Sequence, residues 1–246
     1  MKTICAVARN EYKYIEDWVK YHALLGFDKI TVYDHGNNGD FRHDKLTLIP
    51  FKPHTRCPQT EAYTDYLVHN DFEWCAFIDI DEFITGDLSI LDKIKNYDGI
   101  RLYEKLYGDD DKIYPEEGPV YSRIKQEVKE KLLHSKLIVR KGNWIIDSPH
   151  VFRNCQNICN SRMEPVKAGK SMEEYSDKLF DNLYIRHYRT KTLSEFCEQK
   201  LNLPRVFMPD KVRTTEYYFR INEMTPKKQE FLDKINNNEV LSWKNS

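Results

Sequence analysis

The chain has no apolar run approaching the roughly 20 residues that span a bilayer, and its opening MKTICAVARNEY holds too few apolar residues for a signal peptide. A soluble, cytoplasmic protein is the expectation. Its six cysteines, at positions 5, 57, 75, 155, 159 and 197, lack the density and regular spacing of a disulfide framework, so free thiols are expected. Cys155 and Cys159 have no second Cys or His pair at a suitable distance, which argues against zinc. Glycine is scarce, at nine residues, and none form the Gly-rich, Lys-bearing loop that cradles phosphates in many nucleotide-binding proteins. Charge of either sign is not in excess. The 38 Lys and Arg stand against 39 Asp and Glu, and a net charge of −1 draws the chain neither to nucleic acid nor to an anionic surface. Any anionic ligand must be handled by a local cluster. Repeats, low-complexity tracts and clear linkers are also missing, which suits one large domain.

What is present is an alternation of strand and helix patterns. Residues 3–8 (TICAVA) form an apolar run that ends at Arg9-Asn10-Glu11, and residues 12–25 carry apolar side chains at helical spacing. Gly26 is placed to end that helix, and 29–33 (KITVY) predicts a second strand closing on Asp34 and the turn-forming 35–39. A third strand is expected at 46–51, a helix at about 60–70 and a strand at 77–80. Strands alternating with helices imply a mostly parallel sheet with right-handed crossovers, whose ligands bind at the carboxyl ends of the strands. The second half predicts a helix over 86–98, a strand over 99–107, an acidic loop over 109–118 and two strands within 136–152. Helices follow from 194–201, behind Thr192, and from 225–241, opened by Thr225-Pro226.

The run Trp74-Cys75-Ala76-Phe77-Ile78-Asp79-Ile80-Asp81-Glu82-Phe83 carries the strongest chemical signal. If the strand continues through it, alternation sends Asp79 and Asp81 the same way and turns Glu82 aside. Paired carboxylate oxygens suit a hard divalent cation such as Mg²⁺ or Mn²⁺, which in turn can clamp a diphosphate. Taken alone, the spacing is equally that of a strand ending in a solvated acidic turn. Its context adds weight: a loop with Arg9-Asn10-Glu11 after the first strand and Asp34 after the second would converge on the same end of the sheet. The aromatic share of 13%, with 16 Tyr, serves sugar or nucleobase stacking as readily as a core.

In that order, the segments ARNEYKYIEDWVKYHALLGFDKITVYDHGNNGD, QTEAYTDYL, WCAFIDIDEFI, LYGDDDKIYPEEGPVYSR, SKLIVRKGNWIIDSPHVF and HYRTKTLSEFCEQK resemble the GT-A glycosyltransferases, specifically the family-2-like group related to glycosyltransferase family 92. The resemblance implies an α/β, Rossmann-like GT-A domain over 1–192, a mostly parallel sheet flanked by helices, with a helical C-terminal extension over 193–246. It implies a sugar transferred from a nucleotide-sugar donor of the UDP-sugar type to a saccharide or lipid-linked saccharide acceptor, in polysaccharide biosynthesis. It also implies Mn²⁺ or Mg²⁺ on the donor phosphates.

Carried onto this chain, the resemblance assigns Asp81 to the metal and Asp79 to the metal or the donor ribose, with Ile80 between them on the donor. His150 or His187 would complete the metal, His150 being preferred because a returning strand can bring it back. His187 would otherwise join Arg186, Arg189 and Lys191 as a diphosphate clamp. Ala8, Arg9, Asn10, Glu11 and Asp34 would meet the base and ribose. Gln59 and Asp65 would meet the donor, although the family usually carries Asn where Asp65 stands. An inverting transfer needs a carboxylate base, for which Asp109 or Asp110 in the YGDDD loop is favoured over Asp111, with Tyr107 stacking on a sugar. Two rival readings are a nucleotidyltransferase and a nucleotide- or glycan-binding protein without catalysis. A C-terminal segment with Lys211, Arg213, Arg220, Lys227, Lys228 and Lys234 would allow peripheral contact with the inner face of a membrane.

Overall fold

The computed structural model of the protein describes residues 1–36, 41–201, 203 and 212–236. The first half runs β1 (Lys2–Ala8), α1 (Ile15–Leu25), β2 (Lys29–Asp34), β3 (Leu46–Pro50), α2 (Pro58–His69), β4 (Trp74–Phe77) and β5 (Glu82–Gly86). The second half runs α3 (Ile90–Lys93), β6 (Gly99–Tyr107), α4 (Val120–Arg123), β7 (Glu127–Val128), β8 (Leu132–Arg140), β9 (Ile145–Ser148) and β10 (Val151–Arg153), then β11 (Ile158–Asn160), β12 (Pro165–Val166), β13 (Met172–Glu174), a 3₁₀ turn (Asp177–Phe180) and β14 (Leu183–His187). The chain continues through α5 (Leu193–Gln199), α6 (Thr215–Phe219) and α7 (Pro226–Asn236).

The main sheet is ordered β12-β11-β6-β8-β4-β1-β2-β3. β4, β1, β2 and β3 are mutually parallel, β8 is inserted antiparallel between β4 and β6, and β14 joins β6 in parallel while pairing antiparallel with β5. This is an α/β fold, a mixed sheet flanked by helices, with the mostly parallel half first in sequence. Its layering follows from β1, which is buried on both faces as parallel strands are. Ile4, Ala6 and Ala8 enter a core with Ile15, Trp18 and Val19 of α1, whereas Cys5 and Val7 enter the opposite core with Ala62, Tyr63 and Tyr66 of α2. The period of two along one strand thus sorts residues between two helical layers.

Local chemistry sets the ends of these elements. Gly26 leaves α1 in the left-handed conformation at φ 114°, and its N–H bonds the His22 carbonyl. Pro58 opens α2, and α5 starts on a full capping box between Thr192 and Glu195. A smaller cluster of Leu193, Phe196, Tyr218, Phe231 and Leu232 holds α5, α6 and α7 together.

Two sequence expectations change here, and a third is covered only in part by the described residues. The helix expected over 86–98 is a single turn, α3, because the Asp87 carboxylate takes the Ser89 N–H and hydroxyl in a local turn that competes with a helix. The apolar spacing of Leu88, Ile90, Leu91 and Ile94 is real, but it serves burial of a loop. The strand expected to carry the carboxylates stops at Phe77, and residues 78–81 form a tight connection in which Glu82 N–H bonds the Asp79 carbonyl at 3.1 Å. The C-terminal helix is described to Asn236; its expected remainder to 241, like Lys211, lies outside the described residues.

Candidate functional site

β1 and β4 are parallel neighbours, so the loops that follow them emerge at the same end of the sheet. There they border a cavity of about 470 Å³. The loop after β1 contributes Arg9, Asn10 and Glu11, with Asn10 turned at φ 59°, a conformation Asn tolerates better than most residues. The connection after β4 contributes Asp79, Ile80 and Asp81, and α2 contributes Gln59 from its first turn. β8 supplies His134 and Lys136, the β9–β10 turn His150, and the end of α5 Gln199 and Lys200.

The two aspartates are held differently. Asp79 accepts hydrogen bonds from Gln59 Nε2 and, at 2.9 Å, from Lys136 Nζ; its own N–H bonds Glu82 Oε2 at 3.0 Å. Asp81 is buried, with Oδ2 2.6 Å from Lys200 Nζ and Oδ1 3.5 Å from His187 Nε2. Glu82 does not turn aside as strand alternation would have it. Because the chain bends before it, this fully buried residue comes within 3.7 Å of His187 Nδ1 and 3.5 Å of Lys136 Nζ. His187 Nδ1 also meets Glu104 Oε2 at 2.6 Å.

This crowding shifts the groups in opposite directions. Burial opposes ionisation of Asp81, yet Lys200 and then His187 hold its carboxyl well below the usual range. Burial would lower His187, but Glu104 and Asp81 push it up to about 10, so a cation bound through this ring would have to displace a proton from it. Glu82 is pushed up to about 8 by burial, against the pull of Lys136. His150 is lowered by burial and by Lys136; its Nδ1 meets the Ser135 carbonyl at 2.8 Å, which assigns the proton there and makes Nε2 the acceptor.

The metal implied by the family resemblance can be judged on donor chemistry. Asp81, Glu82 and His187 offer two carboxylate oxygens and a ring nitrogen within 4.8 Å of one another. Hard oxygens with one imidazole suit Mn²⁺, and Mg²⁺ through the oxygens. Glu82 Oε1 is buried and, among the described residues, accepts no hydrogen bond, so it retains an uncommitted electron pair. The residues fit the group. Asp79 and His150 line the same cavity but are not part of that trio.

Several sequence expectations meet a different placement. Asp109 is buried against the Tyr218 hydroxyl and Lys228 Nζ, the latter at 2.8 Å, and Asp110 accepts the Lys125 and Gln126 N–H groups at 2.7 and 2.6 Å. Neither lines the cavity, because both are spent on fastening the loop after β6. Arg186 alternates away from His187 on β14 and bonds Thr85 Oγ1 at 2.9 Å and the Tyr21 hydroxyl at 3.1 Å, so it is not part of a diphosphate clamp. Asp65 accepts the Tyr33 hydroxyl and stands 3.0 Å from His69, while Asp34 and Ala8 pair across β2 and β1 beside the cavity rather than in it. Lys191 is buried, with its Nζ 4.2 Å from the centre of the Tyr14 ring. The basic C-terminal face is also reduced: Lys228 is buried on Asp109 and Asp111, Lys234 pairs with Glu230, and Arg213 lines the cavity.

Lys136, Glu104 and Lys200 went unnoticed as site residues. The first two did leave a signal, since each is a charge in the middle of a strand that carries several apolar residues, and a charge so placed must find a buried partner. Lys200 left none, its partner Asp81 being 119 residues away.

No known family's sequence profile matches the chain. It is 30% identical over 105 residues to a glycosyltransferase family 92 protein of Ricinus communis, covering 38% of this chain and 19% of that protein. With a family 92 protein of Oryza sativa subsp. japonica it shares 24% over 105 residues, covering 38% and 18%. The chain thus spans about a fifth of the length of these curated relatives. Among solved structures, residues 1–349 of S. aureus TarS align at 18% identity and a TM-score of 0.31 over 47% of this chain and 38% of that one. Francisella tularensis 2-C-methyl-D-erythritol 4-phosphate cytidylyltransferase aligns at 17% and 0.34 over 58% and 74%. At those scores the fold rests on the strand order itself. In sequence, 38% of the chain is similar to glycosyltransferase family 92 proteins.

Proposed function

We propose that the protein is a metal-dependent glycosyltransferase that takes a sugar from a nucleotide-sugar donor, a UDP-sugar, and passes it to a glycan or lipid-linked acceptor. The observation that carries this reading is the convergence of Arg9-Asn10-Glu11 and Asp79-Ile80-Asp81 on one cavity at the carboxyl ends of β1 and β4, where Asp81 joins the cavity wall to the buried Glu82 and His187. Relatedness to family 92 supports the same activity.

In this reading Asp81, Glu82 and His187 hold Mn²⁺ or Mg²⁺, which when bound supplies Lewis-acid stabilisation to the departing diphosphate. Gln59 and Lys136 fix the Asp79 carboxylate on the cavity wall, where it can accept a hydroxyl hydrogen bond from the donor ribose. Arg9 and Asn10 border the place of the base and ribose, and the burial of Ile80 keeps water from beneath the diphosphate. The transfer is proposed to invert the anomeric centre, an outcome that product NMR reads directly; Asp109 and Asp110 are not assigned as its base.

The test is donor hydrolysis across a panel of sugar nucleotides, with Mn²⁺ or with a chelator. Metal-dependent release of free nucleotide from at least one donor is expected. Binding of the nucleotide without release from any donor would favour a protein that binds and does not catalyse.

A further inference from the structure

Lys200 follows α5 directly, at its C-cap, and is nearly fully buried at 7% exposure, yet it lines the cavity. Its ammonium makes two short contacts, 2.6 Å to Asp81 Oδ2 and 2.6 Å to the Arg189 carbonyl. Asp81 is the carboxylate shared between this lysine and the cation trio. An ammonium hydrogen-bonded to that oxygen and a divalent cation coordinated by the same carboxylate would stand within a few ångströms as like charges, with little water between to screen them. Each weakens the other's hold on Asp81.

We propose that Lys200 is a displaceable occupant of the cation site, which a divalent metal drives off Asp81, and that the released ammonium then contacts the donor's diphosphate. The inference rests on reading the cavity as a nucleotide-sugar site. Two observations give the direction of release. The buried Lys191 ammonium lies close by over the Tyr14 ring, so a second cation gains nothing by moving toward it. The cavity is the side to which Lys200 is already open, and a diphosphate there supplies the negative charge that Asp81 no longer offers it. The lysine therefore keeps Asp81 compensated in the empty protein and adds to phosphate binding in the loaded one.

The experiment measures Mn²⁺ binding to the full chain without nucleotide, by electron paramagnetic resonance, and then UDP binding at saturating Mn²⁺, by calorimetry. The proteins are wild type, Lys200→Met, Lys200→Arg and Asp81→Asn. Lys200→Met is expected to bind Mn²⁺ about tenfold more tightly or better and UDP about tenfold more weakly, the scale of one close charge pair. Lys200→Arg, which keeps the charge, is expected to stay near wild type in both. Should Lys200→Met fail to fold by circular dichroism, Lys200→Gln carries the same test. Mn²⁺ affinity that is lost in Asp81→Asn but unchanged or weaker in Lys200→Met overturns the displacement while leaving the site reading intact. Mn²⁺ binding that is absent from wild type, or indifferent to Asp81→Asn, overturns that reading and the inference with it.

Discussion

Two clusters of acids and bases draw on β6 and its following loop, one through Glu104 and the other through Asp109, and they are built on opposite principles. Around the cavity, His187 faces three carboxylates, of Asp81, Glu82 and Glu104, at 3.5, 3.7 and 2.6 Å, while Lys136 and Lys200 each reach into the same group. Around the helical end, opposite charges are matched locally, Arg123 with Glu195 and Lys228 with Asp109 and Asp111. Arg123 forks onto Glu195, which also closes the Thr192 cap and accepts the Tyr14 hydroxyl at 2.8 Å; Asp109 is held by Tyr218 and Lys228. The first arrangement is crowded and opens on a cavity, so its balance of charge can be changed by a ligand. The second borders a smaller cavity of about 300 Å³ at Arg123 and Glu195, but its side chains are committed to holding α5, α6 and α7 against the loops. The number of acids in a segment therefore does not distinguish a chemical site from a structural one; Asp109 to Asp111 are the denser run in sequence, and they serve the structure.

The contrast can be broken most sharply at Asp81. Asp81→Asn is expected to lower metal-dependent turnover by about 10²–10³-fold, the scale of removing one preorganised electrostatic contact, as measured by nucleotide release. Asn is preferable to Ala because Asp81 is buried beside Lys200, and truncation would leave that ammonium uncompensated. Full turnover in Asp81→Asn would remove the cavity from the chemistry. The converse change is Arg123→Met, expected to cost roughly 3–5 kcal/mol in urea unfolding by stranding the buried Glu195, with turnover per folded molecule retained. Loss of turnover without loss of stability would mean that the paired cluster takes part in the chemistry after all.

Acid should also separate the two regions. Burial opposes ionisation of Glu195, but Arg123 and the Thr192 cap hold it down at about 2, against an ordinary 4.5. A depressed carboxylate contributes stability that is fully present above its ordinary value and is lost as pH falls through the folded value. Stability measured by denaturant melts should therefore drop between about pH 4.5 and pH 2, by up to about 3 kcal/mol from this group. In Arg123→Met that part of the decline should vanish; an unchanged acid profile would contradict the pairing.

The legible parts of the protein were those in which local pattern and global fold agree. β1, β2, α1 and β6 follow from apolar periodicity and one glycine, and the convergence of Arg9-Asn10-Glu11 with Asp79 and Asp81 follows from the parallel order. Where the reading went astray, a residue's meaning came from a distant partner. Lys136 meets Asp79 across 57 residues and Lys200 meets Asp81 across 119, and the acids of the YGDDD loop are claimed by α6 and α7 far downstream. Glu82 was obscured by something smaller, a strand that stops at Phe77 and so cancels the alternation that would have turned it away from Asp79 and Asp81.

The most direct measurement is a crystal structure of the protein soaked with Mn²⁺ and UDP. The account expects anomalous density for Mn²⁺ among Asp81, Glu82 and His187, with the diphosphate in the adjoining cavity and the uridine toward Arg9 and Asn10. Mn²⁺ bound instead at Asp109 to Asp111, or UDP bound outside the cavity with Asp81 still paired to Lys200, would contradict it.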